Sequence, residues 1–433
     1  MRAKTRFLVI GAGPTGIGAA ARLAELDEDH LVVDSSDQVG GMATSIKDRD
    51  GFTWDLGGHV LHSHFPEFDK AIAVSGVAMN DVTRNGWVWL EGTGPETLVP
   101  TPIQQHLTEL PTNLRPDAPA AHLGDYYRNS FGQALYDQFF EPYNVKMWTV
   151  PLDQVDHEWT SLRNGSRERN VPSLSAASGE KPAAESFPYP VGGTGALWQA
   201  IHDRLLQPER VRLSTRVESL DLERRVAELA DGRTVSYEYC ISTGPITTMM
   251  RWSGQEHLRA SLRASVVHAV GLGYRGEPPD ALADKTWLYC PDRRVPWYRA
   301  TMLSNYDPGN AGPGRWNVLC EVPSFATEPT TAGDAIEGTA ASLQAIGADA
   351  RLIETKWHRT LPMGYPVPTL GRDAVLRQVN ERLLSHGVYS RGRFGGWRYE
   401  SCNQDYSFMQ GREAVDSALY GTPEDVYWRP ERF

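Results

Sequence analysis

Residues 7–34 read FLVIGAGPTGIGAAARLAELDEDHLVVD, and this stretch decides the fold. Phe7–Ile10 is a short apolar run, as a buried strand requires. Gly11, Gly13 and Gly16 follow at GxGxxG spacing. The first glycine permits a tight turn, the second lets backbone approach a pyrophosphate, and the third lets the next helix pack closely on the strand. A helix is predicted from about Pro14 to Leu26. Its N-terminus offers free N–H groups and a positive dipole to phosphates. A second strand, His30–Asp34, ends on an acidic residue, and Asp34 is placed to accept from ribose hydroxyls. The unit is the first half of a dinucleotide-binding βαβ, and alone it does not separate NAD from FAD.

Two further stretches do. Gly40-Gly41-Met42-Ala43-Thr44 follows the ribose-binding strand closely, as in amine-oxidase-like flavoproteins. Near the other end, GRFGGW (392–397) precedes a helix predicted from about Tyr406 to Leu419. The N-terminus of such a helix suits the pyrimidine edge of a flavin. The cofactor expected is therefore FAD, held by Gly11, Gly13, Gly16, Asp34, Gly41 and Met42.

The rest of the chain bounds the answer. At 433 residues it is too long for one small core. A net charge of −11 argues against a nucleic-acid surface. No stretch of eighteen apolar residues occurs, so no membrane partner is expected. The basic and apolar start runs straight into the glycine turn, which reads as a first strand of a cytoplasmic protein rather than a signal peptide. Cys240, Cys290, Cys320 and Cys402 are too scattered for a metal site or disulfide framework. His62 and His64 share a strand spacing, but no carboxylate or cysteine stands beside them in sequence, and no metal is expected. The expected class is α/β: a Rossmann-like FAD-binding domain from residues 1–65, 192–245 and 385–433, a largely helical insertion over 66–191, and a mixed β-sheet substrate domain over 246–384. Gly124–Phe140 is predicted helical. Ser173–Glu185 is small, polar and aperiodic, as a surface loop would be.

The run RGRFGGWRYESCNQDYSFMQGREAVDSAL (391–419) closely resembles the C-terminal motif of the UDP-galactopyranose mutases, especially the eukaryotic type. So do WDLGGHVLHSH (54–64), EPYNVKMWTVP (141–151), GGTGALW (192–198), WLYCPDRRVPWYRATMLSNY (287–306) and GYPVPTL (364–370). These motifs run in order along almost the whole chain. The resemblance implies an FAD enzyme that interconverts pyranose and furanose forms of a nucleotide-linked galactose, with reduced flavin N5 as nucleophile at the anomeric carbon and no net redox. It implies a nucleoside-diphosphate-sugar partner, with NAD(P)H as a candidate reductant, although no second nucleotide motif is found. Arg299 matches the arginine that clamps the diphosphate, a task suited to a bidentate guanidinium. Arg163 matches a second active-site arginine, and His59 the histidine near flavin N5. Tyr289, Tyr365 and Tyr399 match diphosphate contacts. Trp287 and Asn403 match residues beside sugar and flavin, and Arg84 and Gln104 further substrate contacts. Gly58, Val217, Arg393, Gln404 and Ser407 match flavin contacts.

The resemblance also has departures. Thr101 and Ile103 stand where the family has aromatics against the nucleobase, which opens the base to guanine as well as uracil. The loop around Ser173–Glu185 is shorter than its counterpart, and the oligomeric state does not carry over. Two other classes fit a flavin fold: an amine-oxidase-like oxidoreductase, and a non-catalytic protein like the Rab GDP-dissociation inhibitors. The arginine and tyrosine set disfavours the first, because amine oxidation needs no diphosphate clamp.

Overall fold

The computed structural model describes residues 2–101, 103, 114–162 and 186–433. In chain order the elements that frame the cleft are β1 (Phe7–Ile10), α1 (Pro14–Glu25), β2 (His30–Val33), β3 (Gly86–Trp89), β4 (Leu98–Pro100), α2 (Glu141–Trp148), α3 (Thr194–Leu205), β5 (Val211–Arg212) and β6 (Tyr239–Ser242). They continue with β7 (Val266–Arg275), β8 (Trp287–Tyr289), β9 (Arg299–Thr301), β10 (Arg315–Ser324), β11 (Ile353–Leu361), β12 (Val388–Ser390) and α4 (Gln404–Tyr420).

One sheet has the order β5-β2-β1-β6-β12, every neighbour parallel. Such sheets are buried on both faces, which explains the unbroken apolar runs FLVI and HLVV. Its strands come from both ends and the middle of the chain. A second, mixed sheet has the order β11-β7-β10-β9-β8-β3-β4. The fold is thus the expected α/β arrangement, with a dinucleotide-type sheet beside a mixed sheet and helices inserted between.

Helices α1 and α4 cross at backbone contact. A Cβ on Gly18 would fall 2.0 Å from the Phe408 carbonyl oxygen, and one on Gly411 would fall 1.9 Å from that of Thr15. Only a bare backbone allows this approach, and it locks α4 onto α1. A buried ion pair adds to the lock. Arg391 Nη2 donates to Glu424 Oε1 at 2.7 Å, and its Nη1 donates to Asn380 Oδ1 at 2.7 Å.

Two local readings differ from expectation. Residues 79–100, read with a largely helical insertion, contain strands Met79–Thr83, β3 and β4, and the last two extend the mixed sheet. The helix predicted over Gly124–Phe140 breaks at Gly132, whose φ of +83° no regular helix tolerates, and resumes as an α turn over Gln133–Leu135 that passes into a π turn over Tyr136–Phe140. Ser173–Glu185 lies outside the described residues. Among those described, no helix is long and apolar enough to cross a membrane.

Candidate active site

A cavity of about 2030 Å³ opens at the carboxyl ends of the parallel strands, where Ile10, Val33 and Ser242 reach its wall. Ligands of open α/β sheets bind there. The volume exceeds the roughly 300–1,000 Å³ of a pocket for one small ligand, which leaves room for more than one.

Its dinucleotide end is bare backbone. Gly11, Gly13 and Gly41 line it, and a Cβ on Gly41 would stand 3.2 Å from Gly13 Cα. A Cβ on Gly13 meets protein only at ordinary contact, 3.6 Å from Gly41 Cα, so the space it faces is the cavity. Helix α1 starts at Gly13 with no side chain capping its amides, which leaves that end to a phosphate. Gly16 plays a different part. Its Cβ would sit 1.8 Å from Gly11 carbonyl oxygen, so it packs helix on strand and does not line the cavity. Asp34 Oδ2 accepts from Ala12 N at 2.6 Å and Oδ1 from Ser36 N at 2.7 Å, fixing the carboxylate at the rim. Met42, Gly58, Val217, Arg393, Asn403, Gln404 and Ser407 line the same cavity. Gln404 Oε1 accepts from Trp198 Nε1 at 2.6 Å at the start of α4. Arg393 donates to Gly364 carbonyl oxygen at 2.8 Å and lies 4.8 Å from the Tyr365 ring centre, while its buried Nε has no partner. These residues fit a flavin dinucleotide: glycine backbone for the pyrophosphate, an acid for ribose, and a second helix start at the far end.

The other end is charged. Cross-strand pairing sets Tyr289, Arg299 and Glu321 side by side on β8, β9 and β10. Arg299 is ion-paired with Glu321 Oε2, and its Nη2 donates to Tyr365 Oη at 3.2 Å. Tyr298 and Tyr365 donate to Glu321 Oε1 at 3.0 and 3.4 Å. Burial works against the Arg299 charge, but Glu321 and the phenols outweigh it and hold the guanidinium well above its ordinary value. Burial pushes Tyr289 up to about 12 and raises Tyr365, so both remain O–H donors at neutral pH. Trp287 and Tyr289, with Gly58, Arg84 and Arg299, line a smaller pocket of about 90 Å³ adjoining the main one. The Arg84 guanidinium lies 5.6 Å from the Trp287 ring centre. Tyr399 lines the main cavity, its ring 4.8 Å from that of Trp148.

His59 lines the cavity 4.0 Å from Asp55. Burial lowers its pKa, with Asp55 acting against that and Arg393 and Arg299 adding to it. Asp55 is itself fully buried, accepting from Tyr189 at 2.9 Å and from the Thr194 hydroxyl at 2.7 Å at the start of α3.

Gln104 and Arg163 lie outside the described residues. Thr101 reaches the cavity, but Ile103 is fully buried in the core and does not line it. His64 has the carboxylate that its sequence neighbourhood lacks: its Nδ1 is 2.7 Å from Asp405 Oδ2. Among the described residues no three potential metal ligands cluster. Glu321 and Asp55 escaped the sequence reading. Glu321 lies inside an apolar strand, where an ionised side chain needs a partner, but the sequence does not say which partner; Asp55 ends the short strand Thr53–Asp55 and carries no such signal.

Three comparisons bear on this geometry. A family model described as flavin containing amine oxidoreductase matches residues 14–379. A crystal structure of reduced UDP-galactopyranose mutase aligns with a TM-score of 0.87 and 33% identity, covering 99% of this chain and 98% of that one. Cyclohexylamine oxidase from Brevibacterium oxydans IH-35A shares the fold at a TM-score of 0.71, with 12% identity over 96% of this chain and 98% of its own. A curated 4,4'-diapophytoene desaturase (4,4'-diaponeurosporene-forming) of Staphylococcus haemolyticus (strain JCSC1435) is 41% identical over 64 residues, 15% of this chain. The chain spans only 12% of that relative's length.

Proposed function

From the premise that the chain belongs to the flavin containing amine oxidoreductase family and to the UDP-galactopyranose mutase family, we propose that it is an FAD-dependent mutase exchanging pyranose and furanose forms of a nucleoside-diphosphate galactose-type sugar, with UDP or GDP as carrier. One observation carries this reading: the half-buried Arg299 stands between Tyr289 and Glu321 at the cavity wall, with Tyr365 as a further donor.

The flavin, when bound, supplies the nucleophile for the anomeric carbon. The remaining work belongs to the protein. A diphosphate must leave and then return, so its charge needs a fixed counter-charge that does not drift while the sugar rearranges. Arg299 gives that charge, and Glu321 fixes its direction by holding Nε. Tyr289 donates to a phosphate oxygen as a neutral phenol, and Tyr365 does so once its single O–H turns from Glu321. Donors aligned beforehand need little reorganisation when charge develops. His59, kept neutral by burial, adds no cation beside the flavin end and leaves one ring nitrogen as an acceptor for a sugar hydroxyl. Arg163, Gln104, Arg84, Trp287, Tyr399 and Asn403 complete the substrate contacts in this reading, and the glycine strip with Asp34, Val217, Arg393, Gln404 and Ser407 holds FAD.

The test is a panel of UDP- and GDP-hexoses given to dithionite-reduced protein, with pyranose and furanose products separated by chromatography. Ring-size exchange without lasting flavin oxidation is the expected result. The family model favours one second reading, oxidation of an amine by bound flavin. Hydrogen peroxide rising in step with turnover, and no furanose, selects it. Bleaching of flavin absorbance by NADH or NADPH tests the proposed reductant.

A further inference from the structure

Lys146 is used by none of the chemistry above, yet it is buried, at 5% exposure, on the inner face of α2. Its Nζ lies within hydrogen-bond distance of four backbone carbonyl oxygens: Cys290 at 3.0 Å, Asp292 at 2.9 Å, Val295 at 2.9 Å and Trp297 at 2.6 Å. All four belong to the loop of one hairpin, whose two strands are β8 and β9 and whose last paired residues are Tyr289 and Arg299. No carboxylate lies within ion-pairing distance of Nζ among the described residues. A buried ammonium is costly unless its N–H groups are all satisfied. Lysine has three donors and four oxygens converge here, so the site is saturated.

Convergent carbonyl oxygens around one cation are how proteins replace the hydration shell of a potassium ion. The same helix supports the hairpin a second time. Tyr143, one turn before Lys146, sets its ring edge-on to Tyr289 at 5.5 Å and to Tyr298 at 6.2 Å. Burial lowers Lys146 to about 8, which leaves it charged at neutral pH.

We propose that Lys146 is a positioning residue: its ammonium fills a four-carbonyl cage of the kind that holds potassium, and thereby fixes the hairpin presenting Tyr289 and Arg299 to the substrate. What those two side chains bind rests on the function proposed above; the cage itself does not.

Two full-length variants test this. Lys146→Ala empties the cage, and Lys146→Met fills it with an uncharged group. Amide hydrogen exchange over residues 290–298 and affinity for free UDP and GDP are measured in potassium, methylammonium or choline at equal ionic strength. Both variants are expected to exchange about tenfold faster in the hairpin and to bind nucleotide about tenfold more weakly. Potassium or methylammonium is expected to restore the alanine variant but not the methionine variant, and choline neither. Wild-type exchange in Lys146→Met overturns the proposal, as does an alanine variant indifferent to small cations. Should the alanine variant not accumulate, Lys146→Met still decides through hairpin exchange. If the wild-type protein binds neither nucleotide, the functional reading fails while the exchange measurement still judges the clamp.

Discussion

Arg299 and Glu321 show how one residue depends on a partner distant in sequence. Arg299→Ala is expected to lower kcat/KM in the mutase assay by about two orders of magnitude or more, the scale of truncating one member of a buried charge pair, with flavin still bound. The same change leaves Glu321 buried and unpaired, so urea denaturation should register a loss of about 3 kcal/mol. Adding Glu321→Gln should return most of that stability and none of the activity. If the double variant is no more stable than the single one, the carboxylate is not the source of the loss. His59 gives a pH test. Its folded pKa lies below its unfolded value of 6.5, so below pH 6.5 the unfolded chain binds a proton that the folded one resists. Stability from this residue is present above 6.5 and is lost as pH falls. His59→Gln should therefore flatten the fall in urea midpoint between pH 7.5 and 5.5, and an unchanged slope would reject the assignment. Arg299 was legible as a motif residue. Glu321 was not, because the pairing that brings it to Arg299 is a sheet register, and a strand's own sequence does not say which residue lies opposite.

Among the elements, the glycines of α1 divide into two kinds. Gly13 faces the cavity, whereas Gly18 faces the backbone of α4. Gly13→Ala is expected to keep the melting temperature of the apoprotein and lower flavin retention. Gly18→Ala should lower both, because a Cβ 2.0 Å from a carbonyl forces the helices apart, at a cost of about 1–3 kcal/mol. Equal melting temperatures for the two variants would count against the close crossing. The strand, turn and helix around GxGxxG were readable because each follows from local pattern. The contact between Gly18 and Phe408 was not, since it depends on how two distant helices meet. The strands over 79–100 were likewise hidden: GWVW is too short to separate from helix by period, and its pairing with β8 supplies the missing half of the evidence.

For the molecule as a whole, the last segment is structural rather than peripheral. Arg391 is fully buried and Glu424 nearly so, so Glu424→Ala leaves a guanidinium without its carboxylate. A loss of about 3–5 kcal/mol is expected in urea denaturation, together with lower flavin content. A variant that unfolds at the wild-type midpoint would show the pair to be dispensable. The scattered composition of the parallel sheet was foreseen from glycine-rich turns at both chain ends, because such turns mark the ends of core strands. The order of strands within it was not, being a property of packing between segments hundreds of residues apart. That order has a consequence for biogenesis. β12 closes the sheet beside β6, and α4 supplies the far wall of the cavity, yet both are synthesised hundreds of residues after the glycine loop. During translation the glycine loop emerges early without the rest of its binding site. Ordered domains are completed as units, and pairings of long sequence separation form late. Cofactor capture accordingly waits for β12 and α4, and a ribosome-stalled chain ending before residue 388 should leave the tunnel without flavin, however much is supplied.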